Sequence, residues 1–195
     1  MREDVNFLIT GLPRSKTAWM SSVAATVAGA MCYHEPVKRH GDWHCCFEIW
    51  DKQGYPHVGI ADSSLGFHLP EILTKAAPRV LIINRDIDQV KRSLVKIGAC
   101  LDPYVDWLSE QIRTVPVNPL IACVEFEALS DLTIVTQCLR HLMPSCAIDE
   151  DRILEMLDMN VQADMQRIWQ YAIDKRSQLG SMLGPEVMAG LRLYQ

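Results

Sequence analysis

Four consecutive residues, Arg14-Ser15-Lys16-Thr17, put two cations and two hydroxyls into one short stretch, just after Gly11 and Pro13. A guanidinium on phosphate or sulfate makes strong, charge-assisted and often bidentate hydrogen bonds. Upstream, Val5 to Thr10 reads as a buried strand. Downstream, a helix is expected from near Lys16 to about Ala30, through an Ala-rich segment. A loop between a strand end and a helix start collects free backbone N–H groups at the positive end of the helix dipole, which is an anion site. The spacing is not that of a Walker A loop, which requires Gly, four residues and then Gly-Lys-Ser/Thr. From Gly11, Lys16 falls on the second glycine and Thr17 on the lysine.

A second group lies at Arg85-Asp86 and Ser93, after the apolar run Arg79 to Asn84. An arginine at a strand end and a hydroxyl two turns into the following helix can clamp one phosphate. The first loop resembles the 5′-phosphosulfate loop of sulfotransferases that use 3′-phosphoadenosine 5′-phosphosulfate (PAPS). Gly11, Pro13, Arg14, Ser15, Thr17 and Trp19 match that pattern, and Lys16 and Ala18 depart from it. The stretch Arg85 to Ser93 resembles the same family's 3′-phosphate signature. Phe126-Glu127-Ala128-Leu129 is similar to its Tyr-Glu-Asp-Leu element. The family's Gly-rich cationic loop has no counterpart here.

The resemblance covers about residues 5 to 130. It implies an α/β fold of three layers, αβα and P-loop-like, with a mostly parallel sheet of about five strands and a helical C-terminal part from about 130 to 195, all in one domain. It implies PAPS as co-substrate with no metal, and in-line transfer of a sulfuryl group to a hydroxyl or amine acceptor. The 5′ end would be held by Gly11, Pro13, Arg14, Ser15, Lys16, Thr17, Ala18 and Trp19, and the 3′-phosphate by Arg85 and Ser93. Arg14 and Lys16 would also act on the transferring group. An acceptor needs a base. Glu35, at the end of the second strand, resembles the family's catalytic glutamate in position, and His34 is the other candidate. Partial burial would raise the basicity of such a carboxylate. Asp62-Ser63-Ser64 stand where some relatives carry a lysine; a helix cap by Ser63 or Ser64 is an equal reading. At position 16 glycine would let the backbone approach phosphate closely. Lys16 at a helix start is expected to be right-handed, so that the loop survives and its ammonium reaches the bridging oxygen.

The elements that position these groups follow from pattern and punctuation. A short strand ends at Tyr33, and Pro36 keeps Glu35 out of right-handed helix. A helix from Trp43 to Lys52 is capped by Asp42. His57 to Ala61 is a strand, Leu69 to Lys75 a helix and Arg79 to Asn84 a strand. Asp86 or its neighbour caps a helix from Ile87 to Ile97, which Gly98 stops. A helix over 102 to 114, a strand from Asn118 to Phe126, and helices at 131–143, 149–159 and 161–179 complete the chain, with a short helix or loose end at 184–195. The acceptor walls are expected in 37–56 and 98–116, with Trp43, Trp50, Tyr55, Tyr104 and Trp107.

The 195 residues suffice for one domain with a full core. A net charge of −5 argues against nucleic acid as a partner. No apolar run is long enough to span a bilayer, and Met-Arg-Glu-Asp leading into a strand does not read as a signal peptide. Seven cysteines, an odd number spread through apolar segments, fit reduced thiols and a cytoplasmic location. His40, His44, Cys45 and Cys46 match no standard zinc spacing. Two rival readings remain: a nucleotide-binding protein of the same fold without transfer activity, and a P-loop kinase acting on a small molecule.

Overall fold

A computed structural model describes residues 5–52, 54–99 and 101–159. The helices expected at 161–179 and 184–195 lie outside them. The described residues up to 158 form one compact unit.

Five strands, β1 (Val5–Gly11), β2 (Ala30–His34), β3 (His57–Ala61), β4 (Arg79–Asn84) and β5 (Ile121–Glu125), form one sheet in the order β2-β3-β1-β4-β5. Every pairing is parallel. Near-continuous apolar runs form these strands because both faces are covered. On one face Leu8, Val58, Ile60, Val80 and Ile82 pack with Cys46 and Trp50 of α3 (Cys45–Lys52) and Leu69 and Ile72 of α4 (Leu69–Ala76). The alternate residues Phe7, Ile9, Leu81 and Ile83 point the other way, and all are buried. Helix α1 (Thr17–Ala24), in the crossover from β1 to β2, packs on β1, β2 and β3.

Both α1 and the sheet are tied near the carboxyl edge. Thr10 Oγ1 donates to the Asp62 carbonyl at 2.9 Å, and Ser21 Oγ to the Cys32 carbonyl at 3.4 Å. Trp19 Nε1 donates to the Met156 carbonyl at 2.9 Å, anchoring α1 to α8 (Glu150–Leu157). Gly11 pairs with Ile83, and a Cβ at Gly11 would lie 2.4 Å from the Ile83 carbonyl oxygen.

Several elements differ from expectation. Helix α1 stops at Ala24, well short of Ala30; Thr26 Oγ1 and Thr26 N both bond the Val23 carbonyl, and Gly29 turns at φ 80° into β2. Strand β2 continues to His34, and α2 (Pro36–His40) follows at once. The cap after β3 is Asp62, not either serine: its Oδ1 accepts from Ser64 N at 2.9 Å and starts a 3-10 turn over Ser63–His68. Helices α5 (Ile87–Val95), α6 (Asp102–Arg113) and α7 (Leu132–Leu142) stand close to their expected places. Asp86 caps α5 as expected, accepting from Gln89 N at 2.8 Å.

Candidate functional site

The chain leaves β1 toward β2 on one side and leaves β4 toward β5 on the other. The loops after β1 and β4 therefore diverge, which opens a crevice at the carboxyl edge between them. Open α/β sheets bind ligands at such a switch point. Residues 12–16 and 85–86 are the two loops.

The structure brings Arg14, Lys16, Arg85 and Ser93 together there. Arg14 Nε donates to Ser93 Oγ at 3.1 Å, and Arg85 Nη1 donates to the Arg14 carbonyl. The Phe126 ring is in contact with two cations, with Arg85 Cζ 3.9 Å and Lys16 Nζ 4.9 Å from its centroid. Lys16 Nζ also lies 5.5 Å from the Trp19 centroid. Packing three cations has an electrostatic cost. Burial and then the Arg85 charge pull Lys16 below the usual lysine range, with Glu127 opposing. Burial pulls Arg85 down too, opposed by Glu127, and burial alone lowers Arg14.

Two buried polar atoms in this cluster have no hydrogen-bond partner: Ser15 Oγ, in a residue fully closed to solvent, and Arg85 Nε. An orphaned buried donor costs roughly 1–3 kcal/mol, so an anionic ligand has two vacant donors to satisfy. The N-terminus of α1 also lacks a side-chain cap and any acidic residue in its first turn. Its free N–H groups face the same loop.

The expectation for Lys16 is overturned. It is left-handed, at φ 60° and ψ 20°, as the residue preceding α1. Arg14 is left-handed as well, at φ 67°. Two left-handed turns around Ser15 curl the backbone N–H groups inward, as in an anion nest. Lys16 thus adopts the geometry that glycine would take without strain. Each non-glycine residue held there costs of order 1 kcal/mol.

Gly11 and Pro13 shape the loop, Thr17 opens α1, and Ala18 and Trp19 follow within it. Trp19 is buried. Glu35 and His34 lie at the end of β2, with β3 standing between them and β1. At about 4.8 Å per strand spacing, that is roughly 10 Å from the β1 loop. Glu35 is left-handed at φ 49° ahead of Pro36, and its N–H donates to the Ala61 carbonyl at 2.9 Å. Burial and then the Asp62 charge raise the Tyr104 phenol above its usual range, with Glu35 adding a smaller push.

The expected acceptor walls divide. Trp50 is a core residue and Trp43 stacks on His68 at 4.6 Å, so neither lines the carboxyl edge with the cations. Beyond Arg85, Asn84, Asp86, Gln89, Glu125 and Glu127 face Ser109, Ile112 and Arg113 of α6 across a cleft of about 660 Å³. Phe126 was expected only as part of the Tyr-Glu-Asp-Leu-like element, not as a partner of the cations; its place directly after β5 was the available signal. Among the described residues no group of three or more His, Cys, Asp and Glu side chains is placed to hold a metal.

No family model matches the sequence, and no curated protein does. Among solved structures, a sulfotransferase from Alicyclobacillus acidocaldarius superposes with a TM-score of 0.53, over 93% of this chain and 96% of that one. The chain shares its fold with a sulfotransferase. At 12% identity the likeness is one of architecture. The α/β, P-loop-like sheet expected from the sequence is therefore present, fully parallel and five-stranded.

Proposed function

We propose that this chain is a sulfotransferase that binds PAPS across the β1 and β4 loops and passes the sulfuryl group to a hydroxyl or amine acceptor. The observation that carries the reading is the Arg14–Ser93 hydrogen bond, which joins the two signature segments at the switch point. The orphaned Ser15 and Arg85 donors fit an anionic nucleotide. The fold neighbour supports the same class.

PAPS supplies the transferable sulfuryl group and an anionic leaving group. The chain's own residues supply position and fixed positive charge. The N–H groups at the start of α1, with Arg14, Ser15 and Thr17, hold the 5′ end. Arg85 and Ser93 hold the 3′-phosphate. Lys16 and Arg14 stabilise charge that builds on the leaving side. Glu35 takes the acceptor proton, with His34 the second candidate. Among the described residues six cysteines are unbridged, which suits a reducing cytoplasm, and no described helix is long and apolar enough to cross a membrane.

The test is thermal. Adenosine 3′,5′-bisphosphate at one hundred times its dissociation constant adds about 2.7 kcal/mol to the native state. For a chain of this size Tm should rise by about 5–10 °C. ATP with magnesium should give no comparable rise; if it alone stabilises the protein, the kinase reading replaces this one.

A further inference from the structure

Asp62, directly after β3, is a buried carboxylate with a partner on every polar group. Its N–H donates to the Ile9 carbonyl at 3.0 Å and its carbonyl accepts from Thr10 Oγ1 at 2.9 Å, which fixes it to the end of β1. Oδ1 accepts from Ser64 N at 2.9 Å and Ser64 Oγ at 2.6 Å, as the cap of the 3-10 turn. Oδ2 makes a bond that the turn does not need. It accepts from Val37 N at 3.3 Å, 25 residues back in the chain.

That amide belongs to the corner that carries Glu35. Glu35 is left-handed at φ 49° and ψ 48°, directly before Pro36. A residue with a Cβ rarely adopts this conformation, and a following proline favours extended backbone instead. The corner persists because consecutive residues of one strand end grip both sides of Pro36. Glu35 N donates to the Ala61 carbonyl at 2.9 Å, and Val37 N donates to Asp62. Pro36 has no N–H, so Val37 carries the first amide of α2 that needs a partner. The residue at the cap position commonly supplies that partner from its own side chain. Glu35 makes no such bond. Asp62 does the capping from the neighbouring strand, and the Glu35 carboxylate is not used up at the helix start.

We propose that Asp62 is the positioning residue for Glu35, holding its corner at a fixed distance from β1 and so from the Arg14 loop. This rests on the reading of Glu35 as the base for sulfuryl transfer. In that step the acceptor oxygen bonds to sulfur while the bond from sulfur to the 5′-phosphate oxygen breaks, and Glu35 takes the acceptor proton. A group misplaced by about 1 Å can lose roughly a hundredfold in rate, so the corner has to be held.

Asp62→Asn separates the cap from the clamp. Two Ser64 donors hold the remaining amide oxygen, so the cap survives, while the amide nitrogen is a donor facing the Val37 N–H. Ser64→Ala is the matched control, thinning the cap and keeping the Val37 bond. In Asp62→Asn, hydrogen exchange at the Glu35 and Val37 amides should quicken about tenfold or more with the β1 amides within about twofold, and Ser64→Ala should leave all of them within about threefold. The transfer arm uses water as acceptor, read as sulfate released from PAPS. Asp62→Asn should slow release about thirtyfold with bisphosphate affinity within about twofold, and in a Glu35→Gln background it should slow release by less than about twofold further. If Asp62→Asn does not fold, Asp62→Ser replaces it, since its shorter side chain caps Ser64 N without spanning to Val37. Unchanged exchange at Glu35 and Val37 overturns the clamp. Equal losses of rate with and without the Glu35 carboxylate overturn its action through Glu35. A wild type that releases sulfate no faster than buffer removes the base reading instead, and the exchange arm still decides the clamp.

Discussion

Arg14 Nε donates to Ser93 Oγ at 3.1 Å, joining residues 79 apart in sequence. One contact thus ties the loop after β1 to the second turn of α5. Arg85 closes the set by donating to the Arg14 carbonyl. Removing Arg14 deletes a charge and a bridge at once. Arg14→Ala should abolish measurable adenosine 3′,5′-bisphosphate binding, whereas Ser93→Ala should weaken it roughly tenfold, as for one hydrogen bond to a charged group. Calorimetric titration separates the two, and full affinity in Arg14→Ala would remove the loop from the site.

Lys16 is a strained cation at a position suited to glycine. Lys16→Gly relieves the left-handed penalty and one like-charge contact with Arg85. The ligand-free protein should gain about 1 kcal/mol, or about 2–4 °C in Tm. If Lys16 stabilises the leaving group, the same variant transfers more slowly while holding nucleotide. A lower Tm for Lys16→Gly would show that the lysine's contacts with Phe126 and Trp19 outweigh its strain.

Glu35 separates transfer from binding. Glu35→Gln keeps the shape and loses the proton acceptor. Turnover should drop by at least about a hundredfold, with bisphosphate affinity within twofold of wild type. Retained turnover in this variant would pass the role to His34.

Alkaline stability tests the core. Burial pushes the Cys138 thiol, in α7, up to about 11 from an ordinary 9.0. In that window the folded chain holds a proton that the unfolded chain releases, so stability is complete below about pH 9 and falls as pH rises toward 11. Cys138→Ala should reduce the fall in urea midpoint between pH 8.5 and 10.5. An identical pH dependence in the variant would mean that other groups carry the effect.

The strands and both cationic segments were legible because their signals are local and repeated: unbroken apolar runs in Phe7–Ile9 and Val80–Ile83, each followed by charged residues at the carboxyl edge. Asp86 announced its cap in this way, whereas the helix expected from Trp43 begins at Cys45, and Asp42, whose Oδ1 accepts from His44 N at 3.0 Å, closes the turn before it. The misreadings arise where a tertiary contact overrides local preference. Alanine-rich sequence continues past Ala24, but α1 must end there for β2 to reach the sheet edge. The handedness of Lys16 left no trace in composition, since lysine rarely turns left and only the surrounding loop imposes it. Trp50 looked like a pocket wall because size and aromaticity alone do not say which face of α3 is buried. The pairing of Phe126 with Lys16 and Arg85 spans three separate elements, so no spacing encodes it.

Glycine at position 11 leaves no atom to wedge between the two central strands, where even a methyl would strike the Ile83 carbonyl oxygen at 2.4 Å. Any side chain there would push β1 and β4 apart, and with them the turns that carry Arg14 and Arg85, so the smallest residue of the chain sets how near the two cations can stand.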